Sequence, residues 1–540
     1  MGLGGRASAR LRPSANMKPS EHPGTCFRLA VVLLWILTVV QAAVLFGWPV
    51  LAGLRCVNDE YLNLIGAVGN SSMADNVLEQ WHSRGFRPIG LPAGYTISPE
   101  TLDARWTLLF HLPAYLALGA ALIFTTRRLL PGVGWAVPFA LCWFMMHTST
   151  MVLLYLTTAQ GHSWAAGAGV WLLILTWNTL ERHMDCRELR WNVYALVALN
   201  LLGVNTSEIY YGWCLAAGLA LGCGWVWVEM TAKPNPSRYR VSLLAFGVLL
   251  VTIPLMHMAM RILAGGLGIV FQPDQGRYSA SLGLNFWRNL GIAFLGWFSA
   301  VPVHWARLPN APLLQRVVPF IGILLAAGLC VLPWALRKRS IRTSGCADNG
   351  WLVLLVAVAS FLGVSATLPT GNMSESYLLG VNIGSAVLLA VGVALLIDIA
   401  RRTWVRMAVI VAVALVLVIG EVGVVSRAVN FAVGWSNAGE LYAQVRTFQK
   451  RAPPRREPYL VLVPRELRAG FTHGQYVHPP AISLNLGLAS LVANRLSPQA
   501  RVKPTPSSEA SVGDGTAAED LDAHADLILD GRGLVARPSW

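Results

Sequence analysis

The chain has 540 residues, of which 55% are hydrophobic and 13% charged, with 42 Lys and Arg against 27 Asp and Glu and a formal net charge of +15. Soluble domains carry about 25% charged residues, so this composition, with a mean hydropathy of +0.52, excludes an ordinary soluble fold. The apolar residues come in blocks of about twenty, the length that crosses ~30 Å of hydrocarbon at ~1.5 Å per residue.

A basic leader, residues 1–28 with Arg6, Arg10, Arg12, Lys18 and Arg28, precedes the first block, Leu29–Val50. That run is too long for a signal-peptide core, and no clean small-residue cleavage site follows it, so it reads as an uncleaved first helix. Residues 51–105 form a long loop. Further spans follow at Trp106–Thr126, Trp135–Leu156 and Ser163–Leu180. The stretch Trp191–Val228 is too long for one helix and is interrupted by Gly203-Val204-Asn205-Thr206-Ser207-Glu208, so it reads as two helices meeting at a polar turn. Later spans are Val241–Ile262, Val317–Leu336, Trp351–Leu368, Leu378–Ile397 and Met407–Val425.

Basic residues gather in alternate loops: Arg127-Arg128, Arg182/Arg187/Arg190, Lys233/Arg238/Arg240, Arg337-Lys338-Arg339/Arg342 and Arg401-Arg402/Arg406. This is the positive-inside pattern, so the charge reports topology and no nucleic-acid partner is expected. Placing these loops inside puts the amino terminus in the cytoplasm and residues 51–105 on the opposite, outer side. To keep Arg337–Arg342 inside, Asn285–His304, with its Arg288, Trp287, Trp297, Gly291 and Gly296, must lie along the interface or re-enter. The expected fold is therefore an all-α polytopic membrane protein of about eleven transmembrane helices, residues 29–425, in the plasma, inner or an internal membrane, with a small non-cytoplasmic carboxyl-terminal segment. In that segment, residues 426–500, Asn437–Arg451 reads as a polar helix, Pro453-Pro454 as a break and Tyr459–Val463 as a short strand. Residues 501–540, rich in Ser, Pro, Ala and Glu at 501–526, read as a disordered tail.

The eight cysteines form no CxxC or His-associated spacing. Cys142, Cys214, Cys223 and Cys330 lie in apolar blocks as small packing residues. No metal site is readable, and no organic cofactor is expected.

Ionisable groups at membrane depth are costly and are generally kept for function. On this topology Asp59 and Glu60, Arg84 and Arg87, His162, Glu208 and Glu375 all face the outer side, and the inner loops hold bases and few acids. A carboxylate there can take a proton from an acceptor hydroxyl, and Arg or His can stabilise a developing phosphate charge. Transfer of a sugar from a lipid-linked phosphate needs that arrangement. It requires one general base, unlike the two carboxylates of a hydrolase. Each residue has a structural alternative. Asp59 would cap a helix, Arg87 would anchor at the interface, Glu208 would hydrogen-bond Ser207 or Asn205, and His162 would be a solvated turn residue. Arg277, in Phe271–Ser281, would contact the lipid phosphate or be a plain loop base.

The order of Asn58-Asp59-Glu60-Tyr61-Leu62-Asn63-Leu64 and then Arg84-Gly85-Phe86-Arg87-Pro88 in a long outer loop resembles the start of the type C glycosyltransferase superfamily, which uses polyprenyl-phosphate sugars. The likeness covers about residues 28–425 and is nearest to the membrane halves of the O-mannosyltransferases that carry tetratricopeptide repeats. Those enzymes place Lys-Glu where this chain has Ser207-Glu208, and Glu-Arg-Tyr where it has Glu375-Ser376-Tyr377; their Asp-Asp is Asp59-Glu60 here, and no repeats follow. The resemblance implies an inverting transfer with Asp59 as general base, supported by Glu60. Arg84, Arg87, His162 and Arg277 would bind donor phosphate or sugar, and Glu208 and Glu375 would shape the pocket. The implied partners are a polyprenyl-phosphate-linked sugar, membrane lipid and an acceptor that is a glycan, a lipid or a protein. Two rivals stand beside this: a transporter or flippase of lipid-linked sugars, and a catalytically inactive membrane scaffold. Transporters commonly show inverted repeats with midplane sites, and Gly203–Glu208 is the only broken-helix candidate here.

Overall fold

The computed structural model describes residues 25–55, 94–147, 160–184, 190–207, 209–231, 238–265, 283–299, 313–336, 350–365, 378–400, 402–463, 486–506, 527–530 and 533–536, together with 64, 67–69, 72, 74–75, 149–150, 155 and 368. Hydrocarbon offers the backbone no hydrogen-bond partners, so a spanning segment must pair every N–H and C=O within itself. The apolar blocks accordingly fold as helices: α1 (Thr25–Leu51), α2 (Leu108–Leu129, entered through a 3-10 turn at Arg105–Thr107), α3 (Ala136–Met146), α4 (Gln160–Met184), α5 (Arg190–Val204), α6 (Ile209–Thr231) and α7 (Arg238–Gly265). Then follow α8 (Leu284–Trp297), α9 (Leu313–Leu336), α10 (Gly350–Leu362), α11 (Leu379–Ile399) and α12 (Thr403–Arg451). Among the described residues five of these, α1, α2, α9, α11 and α12, are long and apolar enough to cross a membrane. The protein is a multi-pass helical membrane protein.

The directions in which helices pack agree with one route through the bilayer. Trp164 on α4 donates to Phe110 O on α2 at 2.9 Å and Trp171 to Ala117 O at 3.0 Å, so α2 and α4 run parallel. Gln41 on α1 donates to the Glu421 carboxylate of α12, and Trp48 donates to Ala428 O at 2.9 Å, so α1 and α12 also run parallel. Parallel α1 and α12 require that an odd number of the ten described helices between them do not cross, and α3, α8 and α10 are the shortest of these, at 11, 14 and 13 residues. At 14 residues α8 is about 21 Å long, short of the ~30 Å core. Its Ala293 and Trp297 pack on Val364, Leu378 and Val381, with Leu284, Trp287 and Phe294 left exposed on the other side.

Helix α11 is the axis of the bundle and is buried on nearly all sides, packing on α3, α9 and α10. Its Gly392 lets it approach α9 at backbone distance, because a Cβ there would meet the Leu329 carbonyl and lie 3.0 Å from Cys330 Cα.

Two features depart from the sequence expectation. The span expected over Trp135–Leu156 is interrupted: α3 ends at Met146, and Ser149, Thr150 and Tyr155 are again helical. There Thr150 Oγ1 (2.5 Å) and Asn382 Nδ2 (3.0 Å) donate to Phe144 O, satisfying a terminal carbonyl from outside the helix. The second is at the carboxyl end, where the Met407–Val425 span and the polar helix Asn437–Arg451 are one 49-residue helix, α12, about 73 Å long. Val424, Ala428, Phe431, Trp435, Ala438, Tyr442, Val445 and Gln449 keep one buried stripe at alternating steps of three and four, so nothing breaks the helix where the membrane ends.

Beyond α12 lies a four-stranded sheet of order β2-β1-β3-β4, with β1 (Tyr459–Val463), β2 (Val502–Pro506), β3 (Leu527–Asp530) and β4 (Gly533–Ala536). Helix α13 (Leu486–Leu496) connects β1 to parallel β2, β1 also pairs in parallel with β3, and β3–β4 is antiparallel. Strand β1 stands where it was expected. Three strands lie in the 501–540 stretch expected to be disordered, and its residues 507–526, 531–532 and 537–540 lie outside the described residues. Strand β2 sits at the sheet edge, where Pro504 and Pro506 need donate no ladder bonds.

Replacing Gly392 by Val should lower the thermal unfolding midpoint in detergent sharply, by the equivalent of about 1–3 kcal/mol or more from overpacking. Replacing the similarly apolar Gly328, with open space around its Cα, by Ala should not.

Candidate active site

The buried polar side chains of the described bundle concentrate at the end that carries Arg55–Arg105. His111, one turn into α2 and fully buried, faces Ser163 of α4, Nδ1 to Oγ 3.2 Å. Tyr115, one turn further, donates to Thr150 O at 2.6 Å. Asn382, at the start of α11, donates to Thr150 Oγ1 at 2.6 Å. His147, just past α3, has Nε2 2.8 Å from Gly296 O on α8 and Nδ1 2.8 Å from Ser149 Oγ. A carbonyl can only accept, so Nε2 carries the proton and Nδ1 accepts from the Ser149 hydroxyl. Asn289 on α8 donates to Leu368 O at 2.9 Å. The result is a collar of hydrogen-bonding groups that ties α2, α3, α4, α8 and α11 at one level.

His162, in the first turn of α4, joins the collar at the α5–α6 turn, with Nδ1 3.0 Å from the hydroxyl of Ser207. The approach is close: a Cβ on Gly161 would sit 2.5 Å from Thr206 O. Thus the sequence's two separate outer turns, at His162 and at Ser207-Glu208, meet in space.

Asp59, Glu60, Arg84, Arg87, Glu208, Arg277 and Glu375 lie outside the described residues. Described neighbours locate the ends of their segments. Ser207 and Ile209, on either side of Glu208, are both buried, Ser207 beside His162. Leu368 and Leu378, which bracket Glu375, hold Asn289 and pack against Trp297 respectively.

The long first loop is closed at its base. Arg55 pairs with Asp103 as an antiparallel bridge, Ala104 N donates to Leu54 O at 3.0 Å, and Arg55 donates to Thr101 O. Burial alone raises the Asp103 carboxyl. The hydrogen bonds from Arg105 Nε and backbone N, with the positive charges of Arg105 and Arg55, outweigh it and hold the carboxyl below its ordinary value.

Of the residues in this collar, the sequence analysis named His162 and did not name His111, His147, Asn289 or Asn382. The signal available for those was position: each is a polar residue within about two turns of a helix end that the charge pattern assigns to one side. Among the described residues no group of three or more His, Cys, Asp or Glu is placed to hold a metal ion.

No protein-family model matches the sequence, and no curated protein matches it. Among solved structures, the chain is similar to ArnT from Cupriavidus metallidurans bound to undecaprenyl phosphate, with a TM-score of 0.43 and 13% identity over 89% of this chain and 90% of that chain. At that level the likeness assigns neither activity nor ligand.

The lowered Asp103 value fixes a pH dependence. A carboxyl whose folded value is depressed stabilises the fold fully above the ordinary value of 3.8 and loses that contribution as pH falls through the folded value. Corrected for intrinsic exchange rates, protection of the Ala104 amide should fall as pH drops below about 4. Asp103→Asn should lower that protection at neutral pH by a few-fold and remove its acid dependence.

Proposed function

We propose that the chain is a type C-like membrane glycosyltransferase that moves a sugar from a polyprenyl-phosphate carrier to an acceptor on the non-cytoplasmic face. The observation that carries this reading is convergence. The base of the loop bearing Asp59, Glu60, Arg84 and Arg87, the His162–Ser207 contact beside Glu208, and the segment ends bracketing Glu375 all stand at the same end of one helical bundle. The segments that carry these carboxylates and arginines thus join the described bundle at one end, which supports a shared site for the head of a lipid carrier.

In the proposed reaction the acceptor oxygen attacks the anomeric carbon of the carrier sugar and gives its proton to Asp59. The bond between that carbon and the phosphate oxygen breaks, and the polyprenyl phosphate leaves with the electron pair. Arg84, Arg87 and Arg277 stabilise the charge growing on the phosphate, and Glu60 supports Asp59. His162 hydrogen-bonds donor phosphate or sugar, and Glu208 and Glu375 shape the sugar pocket. Attack from the face opposite the phosphate inverts the anomeric centre. The nearness to the repeat-bearing O-mannosyltransferases is part of this proposal and rests on the sequence motifs. A cytoplasmic amino terminus and a non-cytoplasmic carboxyl terminus belong to it too, and rest on the basic loops.

The test is transfer of labelled sugar from a panel of polyprenyl-phosphate donors by the purified, reconstituted protein. Wild type should transfer from at least one donor, and Asp59→Asn should reduce the rate by about 10²–10⁴, the usual contribution of a general base. Transbilayer movement of the donor with no release of sugar would instead establish the flippase.

A further inference from the structure

The carboxyl-terminal unit is joined to the first loop by specific contacts that the transfer reaction, as proposed, leaves unused. Arg446, near the end of α12, is buried. One arm of its guanidinium, Nη1, donates to Gln449 Oε1 at 3.0 Å, to Ser497 Oγ at 2.9 Å and to Ala493 O at 3.4 Å, so it grips the end of α13. The other arm, Nη2, reaches out of the unit to the carboxylate of Glu100 in the first loop, 3.0 Å away. One turn earlier Tyr442 donates to Pro99 O at 2.7 Å. One turn before that, the Arg55 side chain lies along α12 at Gly439, where a Cβ would sit 3.0 Å from Arg55 Nε. A separate contact lies farther along the loop, where the Arg495 guanidinium of α13 covers Gly69. The unit is itself sewn to α12, with Gln449 Nε2 donating to Asn494 Oδ1 at 3.1 Å and to Ala500 O at 3.0 Å, and Asn494 bonding both N–H and C=O of Val502 on β2.

The first loop therefore rests on α12 and α13 at Arg55, Gly69, Pro99 and Glu100, which bracket residues 56–68 on both sides. Catalysis by a loop-borne base needs that base held to a fraction of an ångström, and supporting contacts outside the site supply such precision. We propose that the α13–β4 unit, acting through Arg446, is a positioning element for the loop that carries Asp59. The proposal rests on the reading of Asp59 as the general base. Arg446 is a positioning residue in this account and touches no substrate. Glu100 is its counterpart on the loop, and its half-exposed carboxylate makes only the loop-side end of the clamp.

Glu100→Gln isolates the clamp, because it removes the charged end on the loop and leaves the Arg446 bonds to Gln449, Ser497 and Ala493 in place. Full-length protein in lipid nanodiscs would be measured in two ways: hydrogen exchange of the Leu102 and Ala104 amides, and steady-state transfer kinetics. In Glu100→Gln the two amides should exchange about fivefold faster, the scale of a half-exposed ion pair. Exchange in α2, α4 and α11 should not change. The value of kcat should fall about fivefold with KM for the donor unchanged, and Glu100→Asp should recover most of the loss. Arg446→Lys, which keeps the charge and loses the two-armed grip, should behave as Glu100→Gln, and the double variant should be no worse than either single one. Unchanged amide exchange in Glu100→Gln overturns the proposal. So does faster exchange with unchanged kcat, or an equal loss of protection in the membrane helices, which would make the contact one of general stability. Failure of wild type to transfer sugar from any donor overturns the Asp59 reading and the positioning role with it. Transfer by wild type that Glu100→Gln leaves intact overturns the positioning role alone.

Discussion

Exclusion of water from the bilayer is the constraint that the rest of this structure obeys. It makes each apolar block a helix, since only a helix pairs all its backbone groups within one segment. It also sorts the polar side chains. Inside the bundle, among the described residues, polar groups pair with one another or with backbone carbonyls, as Asn382 Nδ2 does with Thr150 and Phe144 and His147 does with Gly296, though some, such as the Trp177 and Trp213 indole N–H groups, have no hydrogen-bond partner. Gln41 and Glu421 meet in the same way between α1 and α12. Only at the helix ends does the constraint relax, and there the histidines and the loops accumulate.

The collar follows from this sorting and from the ends that helices must have. A helix that stops inside protein leaves carbonyls without partners. The end of α3 meets that need by accepting from Thr150 and Asn382, which draws the start of α11 to the same level. The tight seat of Gly161 under Thr206 brings the α5–α6 turn there as well. Several independent connections thus converge, and the polar groups at this end already hold the bundle together.

Block length and charge alternation made most of the membrane fold legible. The interruption at Gly203–Glu208 was legible because a polar, Gly- and Asn-containing run inside the 38-residue stretch Trp191–Val228 breaks an otherwise apolar block; α5 stops at Val204 and α6 starts at Ile209. The early end of α3 was not legible, since it depends on Asn382, some 240 positions away in sequence. The continuity of α12 was written in the sequence as a stripe of threes and fours, but its mean composition turns polar after Val425 and masked that period. Averaging hid the sheet too. Residues 501–540 are polar overall, yet Leu527-Ile528-Leu529 and Leu534-Val535-Ala536 flank Asp530-Gly531-Arg532-Gly533, a glycine-containing hairpin signal, and Val502–Pro506 becomes a strand because Tyr459–Val463 is there to pair with it. At the candidate site the same split recurs. His162 was legible because a lone imidazole at a turn stands out. His111 and His147 were not, because one histidine in an apolar block carries no periodic signal and only its partners, Ser163 and Gly296, mark it.

The continuous α12 changes what the carboxyl-terminal unit can do. A flexible linker would let a small α/β unit drift, and contacts with the first loop would then have to fix its place unaided. A helix that is already packed in the bundle at Phe431 and Trp435, against Tyr155, presents Tyr442 and Arg446 at a set height and rotation. Burying a guanidinium adds little net stability over a well-packed apolar side chain, because desolvation offsets much of the attraction. What a two-armed, directional group adds is register, since Arg446 can meet Gln449, Ser497 and Glu100 together in only one arrangement. An apolar residue at 446 would fill the same space and leave the loop free to slide, so the choice of arginine there is an argument for geometry over stability.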